Sequence, residues 1–252
     1  MSGVFNFAID EETIKANPVS GITKRLELKR DRSRNVDPLT VEELNLFLDT
    51  CNELVPEYYP FFLMAARTGM RLGELLAVHV GDLDFNSRFI WVRRSYRRGQ
   101  VTPPKNGKER KVDMSDQLAE SLKRHLTKAK KEALNRGTGE VPELLFRRNG
   151  RVIEQNYIRR VFKRILTKAG IRDIKLHGLR HTFASLLLSM GESPVYVKEQ
   201  LGHSSIQITV DIYGKWIQTK KEAGVNRLDS VAPACTLSAP NPQNARLSAC
   251  NH

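Results

Sequence analysis

The stretch "PEYYPFFLMAART", residues 56 to 68, constrains the fold more than any other part of the chain. It has helical length and almost no polar side, and a helix that is apolar all round can only lie inside a larger body. Other helices must therefore wrap it. Gly69 halts it, and a further helical turn follows in "MRLGELLAV", with Arg71 at the junction. A permanent charge beside a buried helix is costly unless an anion or a carboxylate meets it. Glu74, three residues on, is one candidate partner, and a bound anion is the other.

The wrapping elements are legible on either side. Thr-Val-Glu-Glu sets the Thr40 hydroxyl three residues before Glu43, a capping box, and Val41, Leu44, Phe47 and Leu48 share the helical face that follows. "FIWVRRSY", "GQVTPP" and "KERKVDM" are β-branched, aromatic or alternating runs separated by turn formers, the pattern of a small antiparallel sheet. The turn between the last two runs holds Lys105-Asn106-Gly107. Leu118, Leu122, Leu126, Ala129 and Ala133 mark one amphipathic helix, and Tyr157, Ile158, Val161, Phe162, Ile165 and Leu166 mark a second. The opposite side of the second carries Arg160, Arg164 and Lys168. Residues 175 to 216 supply three short helices broken at Gly191, Pro194 and Gly202. The expected fold class is α+β, mainly α-helical, with a small antiparallel β-sheet.

The two ends read differently. "FNFAIDEETIKANPVSGITKR" is a helix fragment closed by Asn17-Pro18 and Gly21 that leads into a basic run. One short helix cannot bury its own apolar face, so residues 1–35 are expected to be the end of a truncated domain plus a basic linker. A last helix is expected in "IQTKKEAGVNRLDS". The tail from 226 to 252 has no periodicity, is rich in Ala, Ser, Pro and Asn, and is expected to be disordered.

Charge points to the partner. Lys+Arg number 41 against 28 Asp+Glu, a net +13, which suits a polyanion. Arg93, Arg94, Arg97, Arg98, Lys108, Arg160 and Arg164 are the expected contacts to a phosphate backbone. Cys51, Cys235 and Cys250 are odd in number and form no CxxC pair, so neither a disulfide framework nor a zinc ribbon is suggested and a reducing cytoplasm fits. No apolar run reaches the length of a membrane span, and the first residues lack the order of a secretory signal. His177 and His181 are four apart, as on a zinc-protease helix, but Gly178 stands where that motif needs Glu, so no metal is expected.

Chemistry concentrates near the end. In His177-Gly-Leu-Arg180 the spacing puts an imidazole and a guanidinium on one helical face, where together they can grip an anion. His203 follows Leu-Gly at a helix break, and Tyr213 precedes another Gly ten residues later, so each polar group is expected at an element end. His181 is expected to be a packing or supporting group.

"ARTGMRLGELLAV", the hairpin Lys105, "HGLRHTFAS", "LGHSS" and Tyr213-Gly214 resemble, in order and spacing, the motifs of the tyrosine recombinases, the phage-integrase family, over roughly residues 36 to 216. The resemblance implies a DNA breaking-rejoining catalytic domain, placed at residues 36–225. It implies that Tyr213 attacks a DNA phosphate to give a 3′-phosphotyrosine, that Arg71 and Arg180 hold the non-bridging oxygens, and that Lys105 protonates the leaving 5′ oxygen. It also implies that His177 handles protons near the nucleophile and that His203 donates to the phosphate. No metal, ATP or other cofactor enters that chemistry. Double-stranded DNA is the implied partner, bound by a homo-tetramer in a phage-encoded or bacterial, nucleoid-associated cytoplasmic protein, with accessory DNA-bending or directionality proteins as further partners. The outcome would be integration or excision of a mobile element. Gly178 stands where the family often has an acidic residue, and a complete core-binding domain normally precedes the catalytic one. A DNA-binding remnant that no longer recombines and a type-IB topoisomerase-like relaxing enzyme are the alternatives.

Overall fold

The structure, a computed structural model, describes residues 2–20, 36–104, 107–135, 137 and 142–217. Helix α1 spans Ser2–Asp10. The body begins with α2, Val41–Leu54, where Thr40 and Glu43 form the expected capping box: the Glu43 amide donates to the Thr40 hydroxyl at 3.2 Å and the Thr40 amide to the Glu43 carboxylate at 2.8 Å.

The all-apolar stretch becomes a single 3-10 turn at Pro56–Tyr58 and helix α3, Tyr59–Thr68, in which Phe61 to Ala66 are buried without a break. Helix α2 covers it on one side. The covering is completed by α5, Asp116–Asn135, and α7, Gly178–Ser189. Helix α6, Gln155–Ala169, lies against α2. Phe47 of α2 meets Phe62 of α3 edge-on at 5.5 Å and Phe162 of α6 at 5.2 Å between ring centroids. Each buried ring contributes on the order of 1.5–3 kcal/mol, so this aromatic cluster is a main source of stability in the body.

The three β-rich runs do not form one sheet. Phe89–Val92 (β2) pairs with Leu83–Asp84 (β1) on one side and with Arg110–Asp113 (β5) on the other, all antiparallel. Ser95–Arg97 (β3) and Gln100–Thr102 (β4) form a separate hairpin. Its two-residue turn, Arg98-Gly99, has φ of +48° and +82°, the primed geometry that matches strand twist. A third hairpin, Arg147–Arg148 (β6) with Arg151–Val152 (β7), turns in the same way at Asn149-Gly150.

Three short helices close the body as expected: α7, α8 at Pro194–Leu201 and α9 at Ile206–Tyr213. Between α3 and Leu72–Leu76, helix α4, the chain turns at Gly69 with φ +58°. A Cβ there would lie 2.5 Å from Phe183 Cδ1 and 2.9 Å from Leu201 Cδ2, so only glycine admits both the turn and the approach of α7 and α8. Val36 to Thr40 are fastened to the body from two directions. Arg172 binds Asp37, the Pro38 carbonyl and Glu43, and the Thr182 hydroxyl accepts from the Leu39 amide. The basic linker, the last helix and the tail that the sequence suggests fall largely or wholly outside the described residues.

Candidate active site

Two arginines about 110 positions apart in the chain converge on consecutive carbonyls. Arg71, the residue before α4, reaches the Gly202 carbonyl through Nη2 at 3.4 Å. Arg180, in the first turn of α7, donates through Nη2 to the Leu201 carbonyl at 2.7 Å and through Nη1 to the Gly69 carbonyl at 2.7 Å. The glycine that ends the buried helix thus supplies a carbonyl that orients one of the site's arginines. Arg180 is 3% exposed. Burial, with Arg71 nearby, lowers the guanidinium to about 9, still charged at neutral pH.

Glu74 is the partner that the sequence offered for Arg71, and it serves two guanidiniums at once. Its carboxylate accepts from Arg71 Nη1 at 2.9 Å and from Arg110 Nη1 and Nη2 at 3.1 and 2.7 Å, and it also caps the Arg71 amide. Burial alone would raise this carboxyl, but hydrogen bonds and charge from Arg110 and then Arg71 hold it down at about 2. Arg71, Arg110 and Arg180 against Glu74 leave two positive charges over. The site is built to receive an anion.

Arg110 was not among the candidates read from the sequence. It stands within a basic run, "KERK", in which nothing distinguishes it from its neighbours. Its Nε donates to the Gln200 carbonyl at 3.0 Å, and its side chain crosses Gly202, where a Cβ would lie 2.9 Å from Arg110 Cδ. Arg71, Arg110, Lys108, Gly202 and His203 line one open groove of about 810 Å³. His203 follows α8, and its Nδ1 lies 3.0 Å from the buried Thr209 hydroxyl. Burial, with Arg180 and Arg71 close by, lowers the imidazole to about 3, so it is neutral. In the tautomer whose Nδ1 accepts from Thr209, the ring carries its proton on Nε2 and can donate it to an anion in the groove.

Tyr213 lies inside the body and not at its surface. It does end α9, but its side chain is 1% exposed and packs with Val36, Phe183, Ala184, Leu188, Val197 and Leu201 in a second apolar cluster. Burial raises the phenol to about 12 against the opposing pull of Arg180. The hydroxyl lies 2.7 Å from His181 Nδ1, and the ring packs on Trp216. His181, read from the sequence as a supporting group, is therefore in contact with the candidate nucleophile. The sequence signal was spacing alone: His177 and His181 are one helical turn apart, and their rings meet edge-on at 4.9 Å. His177, at the start of α7, is exposed on one side. Burial on its other side and the charges of His181 and Arg180 lower it below the usual histidine range.

Lys105 lies outside the described residues. Pro104 and Lys108 line the groove. The arginine cluster divides in two. Arg93 and Arg94 both pair with the buried Asp82, at 3.5 and 2.9 Å, and Arg93 also pairs with Glu109. Arg97 and Arg98, at the hairpin tip, are exposed, as are Lys108, Arg160 and Arg164. Arg93 and Arg94 thus supply the charge that burying Asp82 requires, while both stay partly exposed.

The profile of the Phage integrase family matches residues 37–218. The ICEBs1 integrase of Bacillus subtilis strain 168 is 30% identical over 242 residues, covering 92% of this chain and 63% of the relative. The XerC-like tyrosine recombinase of Caldanaerobacter subterraneus subsp. tengcongensis is 27% identical, covering 90% and 63%. In fold the chain is similar to the Tn1549 transposon integrase solved with transposon right end DNA, with a TM-score of 0.66 at 22% identity over 92% of this chain and 77% of that one. The chain spans about six-tenths of the length of the curated relatives it matches.

Proposed function

Because the chain belongs to the phage integrase family, we propose that it cleaves and rejoins DNA strands in site-specific recombination, as in integration or excision of a mobile element. The observation that carries this reading is the convergence of Arg71 and Arg180 on the Leu201 and Gly202 carbonyls, with His203 and Tyr213 supplied by the same short segment. A phosphodiester seated against these groups would have its non-bridging oxygens neutralised by guanidinium, which is the charge stabilisation a phosphoryl-transfer transition state needs.

In the reaction the Tyr213 oxygen forms a bond to phosphorus as the bond to the 5′ oxygen breaks. The phenol proton passes to a base, and Lys105 gives one to the leaving oxygen, with His177 close to the proton path and His203 donating to the phosphate. Ester energy is retained in the 3′-phosphotyrosine, so rejoining needs neither ATP nor metal. The Tyr213 hydroxyl, which already feels the charge of Arg180, is uncovered to the phosphate as DNA binds while its contact with His181 is kept. In this reading residues 36–225 form the catalytic domain, 1–35 precede it and 226–252 follow it. Arg97, Arg98, Lys108, Arg160 and Arg164 touch the backbone while Arg93 and Arg94 hold the sheet, and four copies act on two duplexes with any accessory proteins alongside.

A nicked suicide duplex tests this. Covalent protein that disappears in Tyr213→Phe is expected. A mobility shift without any covalent product would instead mean a DNA-binding remnant, and sequence-independent relaxation of plasmid would mean a topoisomerase.

A further inference from the structure

We propose that His181, through Nδ1, is the base that takes the phenol proton of Tyr213 as its oxygen attacks phosphorus and returns it when the strand is rejoined. This inference rests on the recombinase reading above. It goes beyond that reading because the resemblance gives proton handling to His177 and no role to His181.

The geometry carries it. His181 Nδ1 lies 2.7 Å from the Tyr213 hydroxyl, within the reach a general base needs before any substrate is present. Proximity in the chain plays no part: the two residues come from α7 and α9, and Tyr213 reaches the part-buried His181 from the second apolar cluster. The titratable and charged groups packed on His181 are Tyr213 from α9, His177 one turn earlier and Arg180 beside it. His177 stands on the exposed side, its ring edge-on to that of His181 at 4.9 Å.

Protonation is consistent with the role. Burial and the Arg180 charge lower His181 to about 4, so the ring is neutral at pH 7 and free to accept. Burial is the larger cause of this weak basicity and the Arg180 charge adds to it. A phosphate diester arriving on Arg180 cancels that charge and strengthens the base at the moment it is needed, so proton transfer is coupled to substrate binding. The step balances: the Tyr213 oxygen–phosphorus bond forms, the phosphorus–5′ oxygen bond breaks, the phenol proton moves to His181, and the leaving oxygen takes a proton from the acid.

The test separates base from acid. A duplex with sulfur replacing the bridging 5′ oxygen has a leaving group that needs no protonation, so loss of an acid is rescued on it and loss of a base is not. His181→Asn is assayed against wild type on this duplex and on the ordinary nicked one. Expected are wild-type covalent adduct on both, a cleavage rate lower by about 100-fold on both for the variant, and DNA affinity within about 3-fold. The decline in wild-type rate as pH falls, caused by protonation of the base, should be absent in the variant. His181→Gln gives a second reading if Asn lowers the melting temperature. Rescue by sulfur, a rate within about 3-fold of wild type, or an unchanged acid limb would overturn the proposal while leaving the recombinase reading intact. No wild-type adduct on the sulfur duplex would overturn both.

Discussion

Replacing Glu74 by Gln tests the electrostatic frame of the site without altering its shape. The Glu74 carboxylate is 1% exposed and accepts from the Arg71 amide, Arg71 Nη1 and both terminal nitrogens of Arg110. Its pKa of about 2 lies well below the usual 4.5. At ~1.36 kcal/mol per unit, that difference corresponds to about 3 kcal/mol of stabilisation of the charged form. Glutamine keeps one acceptor, but it turns an NH2 toward arginine donors and leaves two guanidiniums facing Arg180 without compensation. The expected loss is about 3 kcal/mol at pH 7, the lower end for breaking a buried pair, or about 6–12 °C in melting temperature.

The pH dependence has a definite sign. A carboxyl lowered in the folded state stabilises above its unfolded value, and that contribution fades as pH falls from about 4.5 toward 2. Urea unfolding of wild type and Glu74→Gln should therefore give curves that differ at pH 7 and converge below pH 4.5. A difference under about 1 kcal/mol at pH 7, the size of an exposed ion pair, would refute the reasoning. So would a gap that stays constant into acid.

Further outcomes follow from the same contacts. Gly69→Ala should destabilise by about 3 kcal/mol in denaturant unfolding, since a left-handed φ and a Cβ 2.5 Å from Phe183 add their costs. His181 and His203, lowered to about 4 and about 3, are neutral in the folded chain but take protons once unfolded. Stability should therefore fall as pH drops below about 6.5. His181→Asn combined with His203→Asn should reduce that slope in thermal melts, leaving the share that His177 contributes. Arg97→Ala and Arg98→Ala should each reduce the salt slope of non-specific DNA binding by about 1, whereas Arg94→Ala should act on folding through Asp82, an outcome read from binding at several salt concentrations.

The body of the fold could be read from local pattern because its signals are local. The unbroken apolar stretch from Phe61 to Ala66, the Thr40 capping box and the glycine stops each depend on neighbours a few residues away, and the helices lie where those signals put them. Strand partners are set by distant pairing, so "FIWVRRSY" was legible as β structure but not as two strands serving two sheets. Asn149-Gly150 is a local hairpin signal of the same kind, and β6 and β7 pair across it. Within the site, Arg71, His177, Arg180, His203 and Tyr213 stood out because each is a polar group in a motif-bearing turn. Arg110 did not, since its distinction comes from Glu74, 36 positions earlier, and Gly202. The burial of Tyr213 against His181 is likewise a tertiary fact, as no single helix carries both residues.

Arg71 and Arg180 around one phosphate are the centre of this account, and a neutral substrate probes that centre most directly. A duplex with a methylphosphonate at the cleavage position lacks the charge the two guanidiniums are there to neutralise. Cleavage by Arg71→Ala should fall by about 100-fold or more on the phosphate duplex, as expected for losing one charge-stabilising donor, and recover most of that loss relative to wild type on the methylphosphonate. An equal loss on both substrates would contradict the account, because Arg71 would then be holding the protein and not the phosphate.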